Sequence, residues 1–566
     1  MKRTVCLMTV CFLAFGMVSA IVSADEVTEK SETAAAQHTR TSIDTSPAVS
    51  YTTHEPIRIN SDAEFTAKFA NRTIWGLEIN GVGKGFCIFI GNCSLPFTVK
   101  NCYLHHASGR FALYFWDTAL ILYKSSNGVI EHNNITSSRR GIYLEQSPTN
   151  TIRNNNCDSS RDNIYLYVSG TVTIANNTVT RSSMYNGIYV ANSHSCIITG
   201  NMCTNNSEDG IYISYSDSVI IMNNNCSGNG GGVYTSHMDS GIISDNTCAD
   251  NWQDGICVMS SRMNKISNNL CMFNKQYGIH LSYSATNTLQ MNKLSGCGIF
   301  MSGDDATNFN THSIDATNKV NGKNVFYAKN TTAFIADAGV GQVLIANCTN
   351  FAVTGQIISN ASAGIFVAHS SNCQITNNIL AKNSCYGLFL ISVTGSTVSK
   401  VIMFANAIGL QLYESDSNDI ANCTLANNMD CGAHVDTSNR NKFTDCAFNS
   451  NAGYGLYMTS SEMNRINNNT FVQNNVGIGT QAYDDMGINI WNGTAKGNWW
   501  DDWTGPDADG NGIVDVPYEL DGGMDAKDYY PLTVPAVVPE SPLPAPLLVL
   551  CILLIAVIAT VRERKK

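Results

Sequence analysis

The sequence predicts an all-β protein, a right-handed parallel β-helix with 22 or 23 residues per rung, and three observations carry that prediction. The first is a glycine period. A Gly opening a "GIY"-like unit falls at Gly187, Gly210, Gly232, Gly255 and Gly278, and again at Gly364, Gly387, Gly409, Gly432, Gly455 and Gly477, in steps of 22 or 23 residues. Gly141 and Asn163 extend the first set towards the N-terminus. The second is a set of fixed columns counted back from the Cys of "NNNC". Five residues before it stand Ile152, Ile174, Ile198, Ile221, Ile243 and Ile266, and later Ile375, Val398, Ile420, Phe443 and Ile466. Two residues before it stand Asn155, Asn177, Asn201, Asn224, Asn246 and Asn269, then Asn378 and Asn469. The third is the shortness of the β segments. Three alternating stretches per repeat are too short for helices, and they close only as a coil. Each strand then pairs in parallel with its equivalent one rung later, ~4.8 Å away, and parallel crossovers are right-handed.

The elements follow in order. Residues 1–24 carry Lys2 and Arg3, an apolar run and then small residues, which reads as a secretory signal peptide. Residues 25–54 are a polar leader, and 55–130 an N-terminal entry or capping segment. Repeats fill 131–302 and 351–490, with an insertion of partly irregular rungs at 303–350. About 16 rungs between 130 and 500 would make a rod of ~75–80 Å. Residues 491–530 form a C-terminal cap with an Asp-rich loop. A Pro-rich stalk occupies 531–546, where six of the 12 prolines lie. Pro542–Val561 is uncharged, mostly apolar and long enough to span a bilayer, and Arg562, Arg564, Lys565 and Lys566 hold the 562–566 tail on the cytoplasmic side. The body is therefore expected outside the cell, anchored by one membrane helix.

Composition narrows the function. The 566 residues are 44% apolar and 14% charged, enough for a core. A formal charge of -11, with no basic cluster before the C-terminus, argues against nucleic-acid binding. Twelve N-x-S/T sequons, such as Asn92, Asn225 and Asn422, suit a secreted glycoprotein.

Four features look like chemistry. Cys157, Cys203, Cys226, Cys248 and Cys271 share a column with Val179, Leu380, Met403, Leu425 and Phe448, so they read as inward apolar fillers, with rung-to-rung disulfides or a metal column as the alternatives. No CxxC occurs, which removes zinc-ribbon readings. The residue two after each Gly should face outward. Tyr143, Tyr165, Tyr189, Tyr212 and Tyr234 form such a stripe, before Cys257 and His280, and either bind sugar rings or stack on one another. Asp304 and Asp305 are the weak catalytic candidates, an adjacent carboxylate pair of the kind glycosidases use. Asp507, Asp509, Asn511 and Asp515, with the Ile513 carbonyl, match the oxygen spacing of a calcium loop or else form an Asx-rich turn. No other cofactor is expected.

The units "GIYISYSDSVIIMNNNC" and "GLYMTSSEMNRINNNTF" resemble the PbH1-type repeats of the NosD-like, carbohydrate-binding and sugar-hydrolysis β-helix family. The entry "PIRINSDAEFT", the mid-chain "NKVNGKNVFYAKNTTAFIADAGVGQVLIANC" and the closing "GNWWDDWTGPDADGNGIVDVPYELDGG" are similar to modules of its archaeal surface members. The resemblance covers roughly 55–535. It implies the β-helix and polysaccharide or envelope-protein partners. Three functions follow as expectations: a non-catalytic surface protein in adhesion, envelope structure or glycan binding; a polysaccharide lyase, hydrolase or epimerase; or a copper-handling accessory protein. No catalytic or copper-ligand set of the family transfers onto these residues.

Overall fold

The computed structural model describes residues 50–109, 117–158, 160–493, 496–523 and 526–535. The chain divides into two units, 1–52 and 53–566, and of the first only residues 50–52 are described. The signal peptide, most of the leader and the anchor segment Pro542–Val561 lie outside the described residues. Among the described residues no helix is long and apolar enough to cross a membrane.

The second unit is a parallel β-solenoid of about 18 turns, the right-handed β-helix that the repeat predicts. Each rung contributes a strand to three sheets. One carries the "GIY" segments, in register from Ile188 through Ile211, Val233 and Ile256 to Ile279. A second aligns Ile152, Ile174, Ile198, Ile221, Ile243 and Ile266, all with no exposure. The third aligns Cys157 with Val179 and Cys203, and Cys248 with Cys271 and Leu294. These cysteines are free and fully buried, so they fill the bore as small hydrophobes. Each inward Ile or Leu contributes about 1.5–3 kcal/mol by leaving water, and repetition makes the core continuous.

The asparagine column is a ladder. Nδ2 of Asn201 donates to Oδ1 of Asn224 at 3.0 Å and to the Ile174 carbonyl at 2.9 Å, and the same pattern links Asn224 to Asn246 and Asn246 to Asn269. The left-handed backbone angle sits one residue earlier, at Asn223 (φ 58°) and Asn268 (φ 62°). The turn therefore needs two adjacent residues, one to bend the chain and one to satisfy buried amides.

Two expectations about the ends and middle are corrected. The entry segment is not a separate cap followed by repeats. Strands Ile57–Ile59, Phe86–Gly91 and Thr118–Tyr123 are already rungs of the "GIY" sheet, because they carry the same inward apolar residues. Among the described residues helix α1, Asp62–Lys68, closes the open end, with Phe65 buried and Ser61 accepting from the Glu64 N–H at 3.2 Å. Nor is the solenoid one straight rod. The insertion contains a one-turn helix α2, Thr307–Asn310, and an antiparallel pair in which Lys319–Val320 meets Lys323–Lys329. Strand Lys323–Lys329 then pairs in parallel with Gln342–Ala346. Through this pair, the Cys sheet of the first half runs into the "GIY" sheet of the second, while the other two sheets stop and restart.

The break folds the two "GIY" faces towards each other. Phe300, outward on the last rung of the first half, packs against Phe366, Tyr386 and Phe389, with ring centroids 5.3–5.9 Å apart. The Gln342 side chain imitates a peptide unit at the seam. It accepts from the Ile299 N–H at 2.9 Å and donates to the carbonyls of Ile299 and Ala363 at 2.7 and 2.9 Å. Ser362 and Ser384 hydroxyls donate to the Gln276 carbonyl at 3.0 and 2.8 Å.

Candidate functional site at the inner corner

The outward column of the "GIY" sheet holds less free aromatic surface than its sequence suggests. Tyr143 is buried, and Tyr165, Tyr189, Tyr212 and Tyr234 are half-buried. Tyr165 stacks on Tyr189 at 4.6 Å and Tyr189 on Tyr212 at 4.9 Å, with ring planes within 9° of parallel. Strand spacing in a parallel sheet matches ring-stacking distance, so the ring faces are spent on each other. Arg140 lies over both Tyr143 and Tyr165. The stripe is a stacked ladder and not a row of open platforms.

Two open aromatics lie where the two halves meet. Tyr283, at the corner after strand Ile279–Ser282, is 49% exposed, and Tyr413, ending strand Ile408–Tyr413 of the second half, is 37% exposed. The Tyr413 hydroxyl is pushed up chiefly by the Glu414 carboxylate, then by burial, and further by Asp436, Asp304 and Tyr283. The first and last of these influences come from opposite halves of the solenoid. Burial holds His369 down, while Glu414 and Asp305 act on it in the opposite sense. Asp304 and Asp305 are both exposed. They lie at the mouth of this corner, Asp304 in electrostatic reach of Tyr413 and Asp305 of His369.

Behind the mouth the outward column changes chemistry. His280 Nδ1 lies 3.0 Å from Asp254 Oδ2 and 3.9 Å from Cys257 Sγ. Its Nε2 lies 2.8 Å from Ser302 Oγ, which donates to Ser282 Oγ at 3.1 Å. Asp254 Oδ1 accepts the Tyr277 N–H at 3.1 Å, so the carboxylate is aimed by backbone. Cys257 is 5% exposed, and the His280 and Asp254 side chains are 16% and 12% exposed. Burial, Asp254 and Asp209 raise the Cys257 thiol well above its ordinary value. Asp209 stands in the same turn column as Asp254, with Gly231 between them. Burial, then the Glu208 and Asp254 carboxylates, push Asp209 up to about 7. The sequence shows Cys257 and His280 only as interruptions of the Tyr stripe. The readable signal is that Asp254 enters the turn column on the Cys257 rung, two rungs after Asp209.

The Asp-rich loop of the cap is held by its own amides. Asp507 accepts from the Asn511 and Gly512 N–H groups at 3.0 Å each, and Asp515 accepts from the Ala508 N–H at 2.8 Å. Asn511 Oδ1 accepts from the Ile513 N–H at 2.8 Å, and the Asn511 N–H is shared with Asp509 at 3.1 Å. The loop is remote from the corner in sequence and sheet order.

Comparison with known proteins agrees with the coil. Residues 301–505 match the family model described as periplasmic copper-binding protein (NosD), and residues 68–184 and 163–314 match the right handed beta helix region. No curated protein matches in sequence. Similar solved structures include the Azotobacter vinelandii mannuronan C-5 epimerase AlgE4 A-module, at 13% identity and TM-score 0.31, covering 64% of this chain and 90% of that one. The periplasmic alginate epimerase AlgG follows at 13% identity and TM-score 0.31, over 65% of this chain and 80% of that one. The alginate lyase AlyF-OU02 stands at 12% identity and TM-score 0.31, over 62% and 86%. The two family models together span 68 to 505 on a solenoid of the expected period, and they support a NosD-like right-handed parallel β-helix.

Proposed function

We propose that the protein is an extracellular, non-catalytic surface β-helix that binds a polysaccharide chain across its inner corner. The observation that carries this reading is the pairing of exposed Tyr283 and Tyr413 from opposite halves of the solenoid, with Asp304 within electrostatic reach. Open aromatic faces stack on sugar rings, and exposed carboxylates accept from sugar hydroxyls. A bent solenoid offers such a chain two walls instead of one. The signal peptide and the C-terminal span expected from the sequence would keep the corner outside the cell and tethered to its membrane.

The test is binding of the purified protein to immobilised polysaccharides. Replacing Tyr283 and Tyr413 with Ala should weaken binding about tenfold or more, at ~0.5–1.5 kcal/mol per aromatic contact. Replacing Tyr189 and Tyr212 should leave affinity within about twofold, because their faces are already occupied by each other. The reverse order of effects would move the site back to the stripe. Release of shortened or unsaturated sugar products, lost in Asp304→Asn or Asp305→Asn, would replace binding with catalysis.

A further inference from the structure

Behind the mouth of the corner, on residues the glycan reading does not use, lies a second constellation. Three different donor types converge there: a carboxylate, a thiol and an imidazole, with their ligand atoms all within 4.8 Å of one another. We infer that Asp254, Cys257 and His280 form a transition-metal site of the zinc class, with the neighbouring Asp209 carboxylate as a fourth donor.

Three features of the geometry support it. The first is the orientation of the imidazole. His280 Nε2 lies 2.8 Å from Ser302 Oγ, and that contact holds the ring. Its Nδ1 faces the Asp254 carboxylate at 3.0 Å and the Cys257 sulfur at 3.9 Å. Fixing the other ring nitrogen by a hydrogen bond is how proteins orient a metal-binding His. The second is charge. Asp209 and Asp254 occupy the same turn column, two rungs apart, beside the single imidazole of His280. The third is space. Gly231 separates Asp209 from Asp254 in the turn column, and a Cβ there would stand 2.2 Å from Asp209 Oδ1. The glycine leaves Asp209 free to turn towards the group.

Sulfur, nitrogen and carboxylate oxygen together suit a borderline cation that takes tetrahedral sites, and not calcium or magnesium. Binding places the thiolate on the metal and releases its proton to solvent.

The experiment titrates the reduced, chelator-stripped full chain with Co2+ as a spectroscopic probe. The expected result is one equivalent bound, with a thiolate-to-cobalt charge-transfer absorption that Zn2+ abolishes. Cys257→Ser should lose that absorption while keeping its melting temperature. His280→Ala should lower affinity at least tenfold, and Ser302→Ala by roughly 10- to 100-fold through the ring orientation. Oxygen ligands in the cap loop cannot give a thiolate band, so the two regions read separately. Wild-type protein without the charge-transfer band overturns the inference, and needs no variant to do so. Retention of the band in Cys257→Ser overturns it equally, since another of the buried thiols would then be the ligand.

Discussion

Asn223 and Asn224 look interchangeable in sequence and do different work. Asn223 takes the left-handed angle at the corner, and Asn224 hands hydrogen bonds from rung to rung inside it. Buried polar groups of this kind are costly unless paired, and the ladder pairs Asn224 with both Asn201 and Asn246. A buried acid in the cap behaves differently. Asp528 has no exposure and accepts from Asn498 N–H at 2.6 Å and Trp500 Nε1–H at 3.1 Å. Burial still dominates and pushes its carboxyl up to about 6 from 3.8. The folded state therefore holds this proton after the unfolded chain has released it. Stability from Asp528 is complete below pH ~4 and is lost as pH rises to ~6, by about 3 kcal/mol. Denaturation of wild type and Asp528→Asn at several pH values should show their stability difference shrinking by that amount, then staying flat above pH ~6. His312, pushed down to about 4 by burial, titrates with the opposite sign and cancels in the comparison. A pH-independent difference would rule out the raised carboxyl.

Among the elements, the two solenoid ends are closed by different means. The N-terminal end is closed by α1, where Arg72 pairs with Asp62 at 2.6 Å and lies over the Phe65 ring. The C-terminal end is closed by stacked aromatics, with Trp500 4.2 Å from Phe471 and 4.1 Å from Tyr518. Covering both ends removes edges that would otherwise pair with other chains. We propose that calcium completes the cap loop 507–515. Its carboxylates are already turned inward by loop amides, and each retains lone pairs for a cation. Thermal melts should then rise with added calcium and fall with chelator, and Asp507→Asn should remove the dependence. Identical melts with and without chelator would leave the loop as an Asx-rich turn.

At the scale of the whole solenoid, stability is the sum of rung-to-rung interfaces, and the weakest one decides whether it unfolds in one step. The seam at the insertion is the candidate, because two of the three sheets are interrupted there. It is held by the Phe300 cluster and by the Gln342 side chain in place of a backbone ladder. Wild-type protein should unfold in one calorimetric transition. Phe300→Ser combined with Gln342→Leu should remove several kcal/mol from the seam and split the transition in two. A single transition at lower temperature would mean that the remaining contacts still join the halves.

The sequence by itself determined the coil: its period, the inward Ile and Cys columns, the Asn column and the place where the repeat breaks. Each of these is a local rule repeated until it becomes visible, since every rung faces nearly the same environment. What the tertiary structure alone decided is what the break does. Residues 300, 366 and 389 are far apart in any straight coil, and only the turned seam brings them into contact. The same seam brings exposed Tyr283 and Tyr413 within reach of each other, while Tyr165, Tyr189 and Tyr212 of the predicted stripe cover one another. Outward residues obey no packing rule that repeats, so their meaning comes from what faces them, and that is set by the path of the chain between distant rungs.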